Sequence, residues 1–222
     1  MFTLAFDTCL DACSVALIDG RQGTMVAARH ELMNRGQAEA LFPMIDETVN
    51  EAGLAPGDIA QVAVTSGPGT FTGVRIGLAA ARGLAVASDL PVIALSSLHA
   101  IALCAIAADE PQCPVAALID ARRDEIYLAV YGPSGEEQLA PRAVPVDDAL
   151  AALPDGDVLL AGSGAKLLSS GGVMSSAHEL PNAAVWGLPA SRMPASDTPP
   201  SPLYLRAADA KPPGAGAQVQ RA

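Results

Sequence analysis

The chain has few aromatic residues, no long uncharged apolar run and no Cys-x-x-Cys pair. Phe, Trp and Tyr make up only 4% of its 222 residues although half of the residues are apolar, which predicts a core of mainly Ala, Leu and Val. No apolar run reaches the roughly eighteen residues of a spanning helix, and the charge of Asp7 comes too early for a signal peptide. We therefore expect a globular, cytoplasmic protein without a membrane partner.

Basic residues are also scarce. The formal net charge is −11 and the sequence pI is about 4.5, and no cluster of Lys and Arg offsets the acidic surface. Such a surface repels phosphate backbones, so we do not expect the chain to bind RNA by itself. An acidic balance suits docking to a more basic protein.

The residues that usually bind metals do not occur in binding patterns. The cysteines are Cys9, Cys13, Cys104 and Cys113, and the histidines are His30, His99 and His178. No two histidines lie within four residues of each other, so no His-x-x-x-His pair can form on one helix. We expect reduced and mostly buried thiols, with Cys9 and Cys13 on adjacent strands, a structural role for His99, and no metal site.

The apolar patterns predict two successive βββα cycles. In the first, strands at 2–7, 12–18 and 24–31, a helix at 37–52, a strand at 61–66, a helix at 74–87, a strand at 91–95 and a helix at 97–108 are expected. In the second, strands at 115–120, 125–131 and 142–146, a helix at 147–153, a strand at 158–161 and a brief helix at 182–188 are expected. This organisation predicts an N-terminal lobe over 1–108, a reduced C-terminal lobe over 109–210 and a disordered tail over 211–222.

A glycine-rich turn joins a predicted strand to a predicted helix. Residues 67–77 read GPGTFTGVRIG, and Thr72 is a candidate N-cap for the helix that follows. The amides of a helix N-terminus suit an anion, so the arrangement is similar to a phosphate-binding loop. Neither the Lys-Ser/Thr pair of a P-loop nor the dinucleotide fingerprint is present, and a tight turn without a ligand is an equal alternative.

Small residues recur every four positions on the same helix. Gly73, Gly77 and Ala81 leave one side of it almost bare, which allows another backbone to approach closely. Glycine in a helix costs about 0.5 to 1 kcal/mol relative to alanine, so a packing reason is expected. The packing partner is either the sheet of the same domain or another subunit.

Three motifs give the chain a resemblance to the TsaB (YeaZ) family. They are the glycine segment 67–77, the segment IDARRDEIY at 119–127 and the segment PLYLR at 202–206, together with the predicted meander whose first strand ends in Asp7 and Thr8. The resemblance extends to about residue 210. It implies an α/β fold of two ribonuclease-H-like lobes, as in the actin/Hsp70/sugar-kinase superfold.

The resemblance also implies a function. Members of this family are non-catalytic subunits of the bacterial machinery that makes N6-threonylcarbamoyladenosine at position 37 of tRNA. The related TsaD carries the active site and its metal, TsaE is an ATPase that joins them, and TsaB pairs with TsaD, or with itself when alone, through its first two helices. In this chain that interface corresponds to Leu41, Ile45, Val49, Gly73, Gly77 and Ala81. Contact with tRNA would be indirect, through the complex, and no catalytic residue is expected.

The superfold also predicts a remnant nucleotide or phosphate cleft. Its lining would be Asp7, Thr8, Gly67, Gly69, Thr70, Thr72 and Asp120. The second lobe lacks an Asp-x-Gly-Gly turn and offers only Gly162 and Gly164 for an adenosine, so no cofactor is expected beyond weak ATP or ADP binding within a complex. The alternative function is an autonomous ATPase or small-molecule kinase of the same superfold, and a protease is a third.

Overall fold

The computed structural model describes residues 1–168 and 174–206, which form two five-stranded sheets. The first sheet has the order β3-β2-β1-β4-β5, with β1 antiparallel to β2 and parallel to β4. Its strands are β1 (Phe2–Asp7), β2 (Ala12–Asp19), β3 (Thr24–Leu32), β4 (Ile59–Thr65) and β5 (Val92–Leu95). The residues of β1 and β2 are buried on both faces of the sheet in nearly continuous runs, so helices must cover both of its sides.

Four helices cover the first sheet. They are α1 (Gln37–Glu51), α2 (Phe71–Ser88), α3 (Ser97–Asp109) and α6 (Ala183–Ala190). Helices α1 and α2 pack with Leu4 and Phe6, whereas α6 and part of α3 pack on the opposite face around Ala5. Helix α3 also packs on the strands of the second sheet, so it lies between the two sheets. The lobe is therefore a three-layer sandwich with α1 and α2 side by side on one outer surface.

The second sheet has the order β10-β9-β6-β7-β8. Its elements are β6 (Val115–Arg122), β7 (Glu125–Tyr131), β8 (Glu137–Pro145), α4 (Val146–Ala149), a 3-10 turn (Leu150–Ala152), β9 (Leu159–Ala161), α5 (Ala165–Leu168) and β10 (Met174–Ser175). The predicted two-lobed α/β fold is confirmed. Helix α5 and strand β10 were not predicted, and the proposed tail at 211–222 lies outside the described residues.

The C-terminal part of the chain returns to the first lobe, which differs from the predicted boundaries. Helix α6 is apolar on all sides and packs on β1, β2, β3 and α3, with the Trp186 side chain fully buried there. The backbone amide of Ala183 donates to Ser14 Oγ at 2.7 Å, which fixes the start of α6 on β2. Because a helix without a polar face must be covered, the second lobe does not extend through this segment.

Two local predictions need correction. Helix α2 begins at Phe71, and Thr70, not Thr72, caps it by accepting a hydrogen bond from the Gly73 amide at 3.0 Å. Cys9 lies in the turn between β1 and β2, so it does not share adjacent strands with Cys13. The start of α2 falls earlier than the apolar pattern indicates, whereas β1 ends at Asp7 as predicted and Cys9 lies beyond that end.

Candidate functional site

The glycine turn packs directly on the loop that follows β1. A Cβ atom at Gly69 would lie 2.2 Å from the Cys9 carbonyl oxygen, and one at Gly73 would lie 2.0 Å from the Thr8 carbonyl oxygen. The Thr70 amide donates to Cys9 O at 2.7 Å, and Thr8 Oγ1 donates to Gly73 O at 2.7 Å. The glycines of the turn and two of its backbone polar groups are therefore engaged in contacts with the loop after β1, so they are not available to bind a ligand.

The bare stripe of α2 also faces its own lobe. A Cβ at Gly77 would lie 2.8 Å from Thr8 Oγ1, and Ala81 is fully buried. Of the two alternatives for the packing partner, the structure supports the sheet of the same domain. A partner cannot reach Gly73, Gly77 or Ala81 while the lobe is folded.

The α1 residues assigned to the interface are core residues as well. Leu41, Ile45 and Val49 are at most 5% exposed and pack in the cluster that contains Leu4 and Phe6. The prediction is therefore wrong for all six interface residues, because a regular apolar stripe on a surface helix is the side that packs on the core. An interface on α1 and α2 must use their outward sides.

Asp7 lies beneath the predicted cleft instead of lining it. Its carboxylate is fully buried, and Asp7 Oδ1 accepts hydrogen bonds from Thr65 Oγ1 and, at 3.3 Å, from the Cys9 amide. Asp7 Oδ2 has no hydrogen-bond partner within the described residues. Burial raises the pKa of Asp7 to about 6, and the bonds from Thr65 and Cys9 only partly oppose this. Asp7 is therefore not placed to hold a metal or a phosphate in the cleft.

The thiols near Asp7 are free and unreactive in this environment. Burial and, to a smaller extent, the nearby charge of Asp7 raise the pKa of the Cys9 thiol. The same two causes raise the pKa of the Cys13 thiol to about 12. Cys9 Sγ lies 3.2 Å from Thr65 Oγ1. The nucleophilic thiolate is strongly disfavoured at both positions, which fits a structural role.

The remaining cleft residues divide between surface and interior. A cleft of about 280 Å³ between the lobes is lined by Gly69, Thr70 and Asp120, together with Leu10, Asp11, Ile119, Ala121, Arg122, Tyr127, Ser163 and Leu180. Thr8 and Gly67 are buried, and Thr72 is exposed on α2. Only three of the seven predicted residues therefore line the cleft.

The polar groups of the second lobe in this cleft are already engaged with each other. The Asp120 carboxylate accepts from the Arg122 amide at 2.8 Å and from Arg122 Nη1 at 3.1 Å, and the Asp120 amide donates to Ser163 Oγ at 3.1 Å. A Cβ at Gly162 would lie 2.2 Å from Leu118 O, so this glycine is required for packing on β6. The cleft can admit a small polar molecule but offers it no ready phosphate clamp.

A cluster around His99 joins the two lobes. The His99 ring stacks on the Tyr131 ring with centroids 4.5 Å apart, and His99 Nε2 lies 3.0 Å from Gly135 O. The Ser96 and Tyr131 hydroxyls are hydrogen-bonded at 3.1 Å, and Ser96 also caps α3. Burial lowers the pKa of His99. The neutral ring therefore serves as a structural link between α3 and the turn after β7.

The C-terminal strap, residues 196–206, crosses both lobes and contains the 202–206 motif. The Ser196 amide donates to Val92 O at 2.8 Å and the Leu203 amide to Ser66 O at 2.8 Å, which attach it to the first lobe. Arg206 pairs with Glu125 of β7. The strap thus runs beside α2 and ends on the second lobe.

The outward side of α1 and α2 carries apolar residues that the sequence analysis missed. Phe42 on α1 is 48% exposed, and on α2 Phe71 is 59% and Val86 88% exposed. Ala79 and Gly83 lie on the same exposed side of α2. Their positions opposite the buried stripe are the sequence signal that could have identified this surface, which we call the α1–α2 face.

Within residues 1–168 and 174–206, no helix is both long and apolar enough to cross a membrane. No group of three His, Cys, Asp or Glu side chains in those ranges comes together as a metal site.

The chain matches a family model and several curated proteins. Residues 29–158 match the family model described as "TsaD: tRNA N6-adenosine threonylcarbamoyltransferase". Proteins named "tRNA threonylcarbamoyladenosine biosynthesis protein TsaB" are 43% identical over 126 residues in Haemophilus influenzae and 42% identical over 131 residues in Escherichia coli. These matches cover 57% and 59% of this chain, and 52% and 55% of the relatives, so the chain spans about half the length of the curated relatives it matches.

A solved structure matches over a longer range. "YeaZ from Pseudomonas aeruginosa" is 33% identical, with a TM-score of 0.79, and the match covers 92% of this chain and 99% of that one. The agreement therefore includes both sheets and most of the segment that returns to the first lobe. The motifs, the fold and this coverage lead to one conclusion: the chain belongs to the TsaB (YeaZ) family.

Proposed function

We propose that this chain is a non-catalytic scaffold or activator subunit in the biosynthesis of N6-threonylcarbamoyladenosine in tRNA. Its support is the family membership, together with the similarity to proteins named as tRNA threonylcarbamoyladenosine biosynthesis proteins. In this role the chain pairs with TsaD and recruits TsaE, and it forms a homodimer when alone. It works in the cytoplasm and meets tRNA only through the complex.

One observation carries the proposal: large apolar side chains of the α1–α2 face, Phe42, Phe71 and Val86, are exposed to solvent. The Val86 side chain is 88% exposed. If a partner buried it fully, this would contribute about 1.5 to 3 kcal/mol to the free energy of association. Ala79 and Gly83 beside it allow a helix of a partner to approach closely. Exposed apolar residues clustered on two adjacent helices are typical of a protein interface.

The cleft supports a second candidate function, an autonomous nucleotide-dependent enzyme. Gly69, Thr70 and Asp120 line it, and the expected binding is at most weak ATP or ADP binding within a complex. The burial of Asp7 and the contacts that close the glycine turn argue against independent catalysis. Incubation of the purified chain with Mg-ATP tests this: ligand at a hundred times its Kd stabilises by about 2.7 kcal/mol, and we expect no such thermal shift.

The experiment that tests the scaffold role is co-purification with TsaD from the same organism, followed by reconstituted modification of tRNA with and without this chain. We expect a stable complex and modification that requires the chain. Val86→Glu should abolish both, because a charge would be buried at the contact. Leu150→Glu, which changes a half-exposed apolar residue of the second lobe, is the matched control and should have no effect. Modification that proceeds equally well without the chain would contradict the proposal.

A further inference from the structure

A groove between the two lobes plays no part in the proposed function. It has a volume of about 590 Å³, and its lining comes mainly from β5 and the start of α3 in the first lobe, from β7 and β8 in the second, and from strap residues 201–203. None of its lining residues belongs to the cleft around Asp120 or to the α1–α2 face. A depression of this volume is large enough to hold a ligand.

The edge strand β5 leaves one residue with open backbone groups in this groove. Pro91 O and Leu95 O accept hydrogen bonds from the β4 side of the sheet. Because backbone polar groups alternate in direction along a strand, those of Val92 and Ala94 point away from β4. The Ser196 amide of the strap donates to Val92 O at 2.8 Å, whereas the amide and carbonyl of Ala94 have no hydrogen-bond partner among the described residues. Ala94 lines the groove and therefore offers it one donor and one acceptor.

The opposite wall is also an edge strand, but it is less suited to pairing. Strand β8 is the last strand of the second sheet, and its Pro141 lines the groove. Proline has no amide hydrogen, and Pro141 lies where the ladder with β7 shifts register between Leu128 and Val130. An extended chain in the groove would therefore pair with β5.

The charge of the groove comes from Glu137. Its side chain is exposed and forms no ion pair within residues 1–168 and 174–206. No Lys or Arg lines the groove, and burial lowers the pKa of His99, which keeps that ring neutral. The net charge of −11 also favours the approach of a cation. The groove is thus complementary to a basic group.

We propose that the groove binds an extended segment of a partner protein, which pairs with Ala94 of β5 and places a Lys or Arg side chain on Glu137. A cavity of this volume spans roughly 10 Å, the length of about three extended residues, so one segment can reach both groups. Backbone hydrogen bonds to a sheet edge supply affinity, and the side-chain contact supplies selectivity. The inference goes beyond the proposed function, since it does not depend on pairing through the α1–α2 face.

Selection from a phage-displayed library of random heptapeptides tests the site. We expect peptides selected on the wild-type chain to be enriched in Lys or Arg at one position, and those selected on Glu137→Gln to lack this enrichment. The Kd of the tightest selected peptide is then measured by fluorescence anisotropy. It should rise about two- to fivefold in Glu137→Gln, which loses an exposed ion pair. It should rise about three- to tenfold in Ala94→Pro, which loses one backbone donor but no bond to β4.

Matched variants separate the site from general effects. Glu136→Gln removes the adjacent charge, which does not line the groove, and Ala94→Ser keeps the backbone amide, so both should bind the peptide as the wild type does. Circular dichroism checks that each variant is folded. Val86→Glu should also leave peptide binding unchanged, which distinguishes this site from the interface of the proposed function.

Three results would overturn the proposal. The first is a selection that enriches no peptide on the wild-type chain. The second is a selected peptide whose Kd is the same for the wild type, Glu137→Gln and Ala94→Pro. The third is competition by lysine amide at the concentration at which the peptide itself competes, because the groove would then be a site for a small cation and strand addition to β5 would not contribute.

Discussion

At the residue scale, Asp7 is a buried acid whose charge opposes folding. Its pKa rises from 3.8 to about 6 on folding, so the folded state holds the proton more tightly than the unfolded state. Stability from this group is fully present below pH 3.8 and is lost as the pH rises through about 6, a change of about 3 kcal/mol. Asp7→Asn should therefore stabilise the protein most at pH 8, and about half as much at pH 5, as measured by urea unfolding.

The matched control for this prediction is Asp155→Asn, which removes the same charge from an exposed position. It should change stability little at either pH. If Asp7→Asn changes the free energy of unfolding by the same amount at pH 8 and at pH 5, the carboxylate is not ionised against a burial cost. The position of Asp7 at a strand end could be predicted from the sequence, but its burial under the glycine turn could not, since that depends on contacts across 60 residues.

At the scale of elements, α2 offers two glycines with opposite expected behaviour. Gly73→Ala would bring a Cβ within 2.0 Å of Thr8 O, which is backbone and cannot easily move, so we expect a loss of about 1 to 3 kcal/mol. Gly83→Ala, in the same helix, meets nothing within 4 Å. It should gain about 0.5 to 1 kcal/mol from helix propensity. Urea unfolding measures the stability of both variants. Equal changes in the free energy of unfolding would contradict the prediction that Gly73 is required for packing and Gly83 is not.

Most helices and strands can be predicted from local sequence patterns, but which of their residues form the exposed α1–α2 face cannot. The spacing of Leu41, Ile45 and Val49 predicts α1 correctly, and the same spacing explains why assigning them to a partner is wrong: periodicity identifies the side that packs on the core. The outward positions of Phe42 and Val86 follow from the same period, but how far these side chains are exposed does not, because that depends on where the helices lie on the sheet.

At the scale of the whole molecule, the contact that His99 makes between the two lobes should make the stability of the protein depend on pH. Burial lowers the pKa of His99, so the unfolded state binds its proton more readily, and stability from the neutral ring is present above pH 6.5 and lost as the pH falls below it. His99→Phe keeps the stacking on Tyr131 but removes this dependence and the bond to Gly135. The variant should lose less stability than the wild type when the pH falls below 6.5, as measured by urea unfolding at several pH values.

The direction of this effect separates it from that of Asp7. Acidification strengthens the fold through Asp7 and weakens it through His99, so the two single variants should change the pH profile in opposite senses. The double variant Asp7→Asn with His99→Phe should be flatter than either. A His99→Phe profile identical to the wild type would show that protonation of this ring does not loosen the contact between the lobes.

The return of α6 to the first sheet has a consequence for synthesis on the ribosome. The face of the sheet around Ala5 and Ile18 is covered by a helix that is translated more than 160 residues after them. The first lobe therefore cannot complete its fold while the second is being made. Its apolar face stays uncovered, and open to chaperones, until α6 emerges from the exit tunnel.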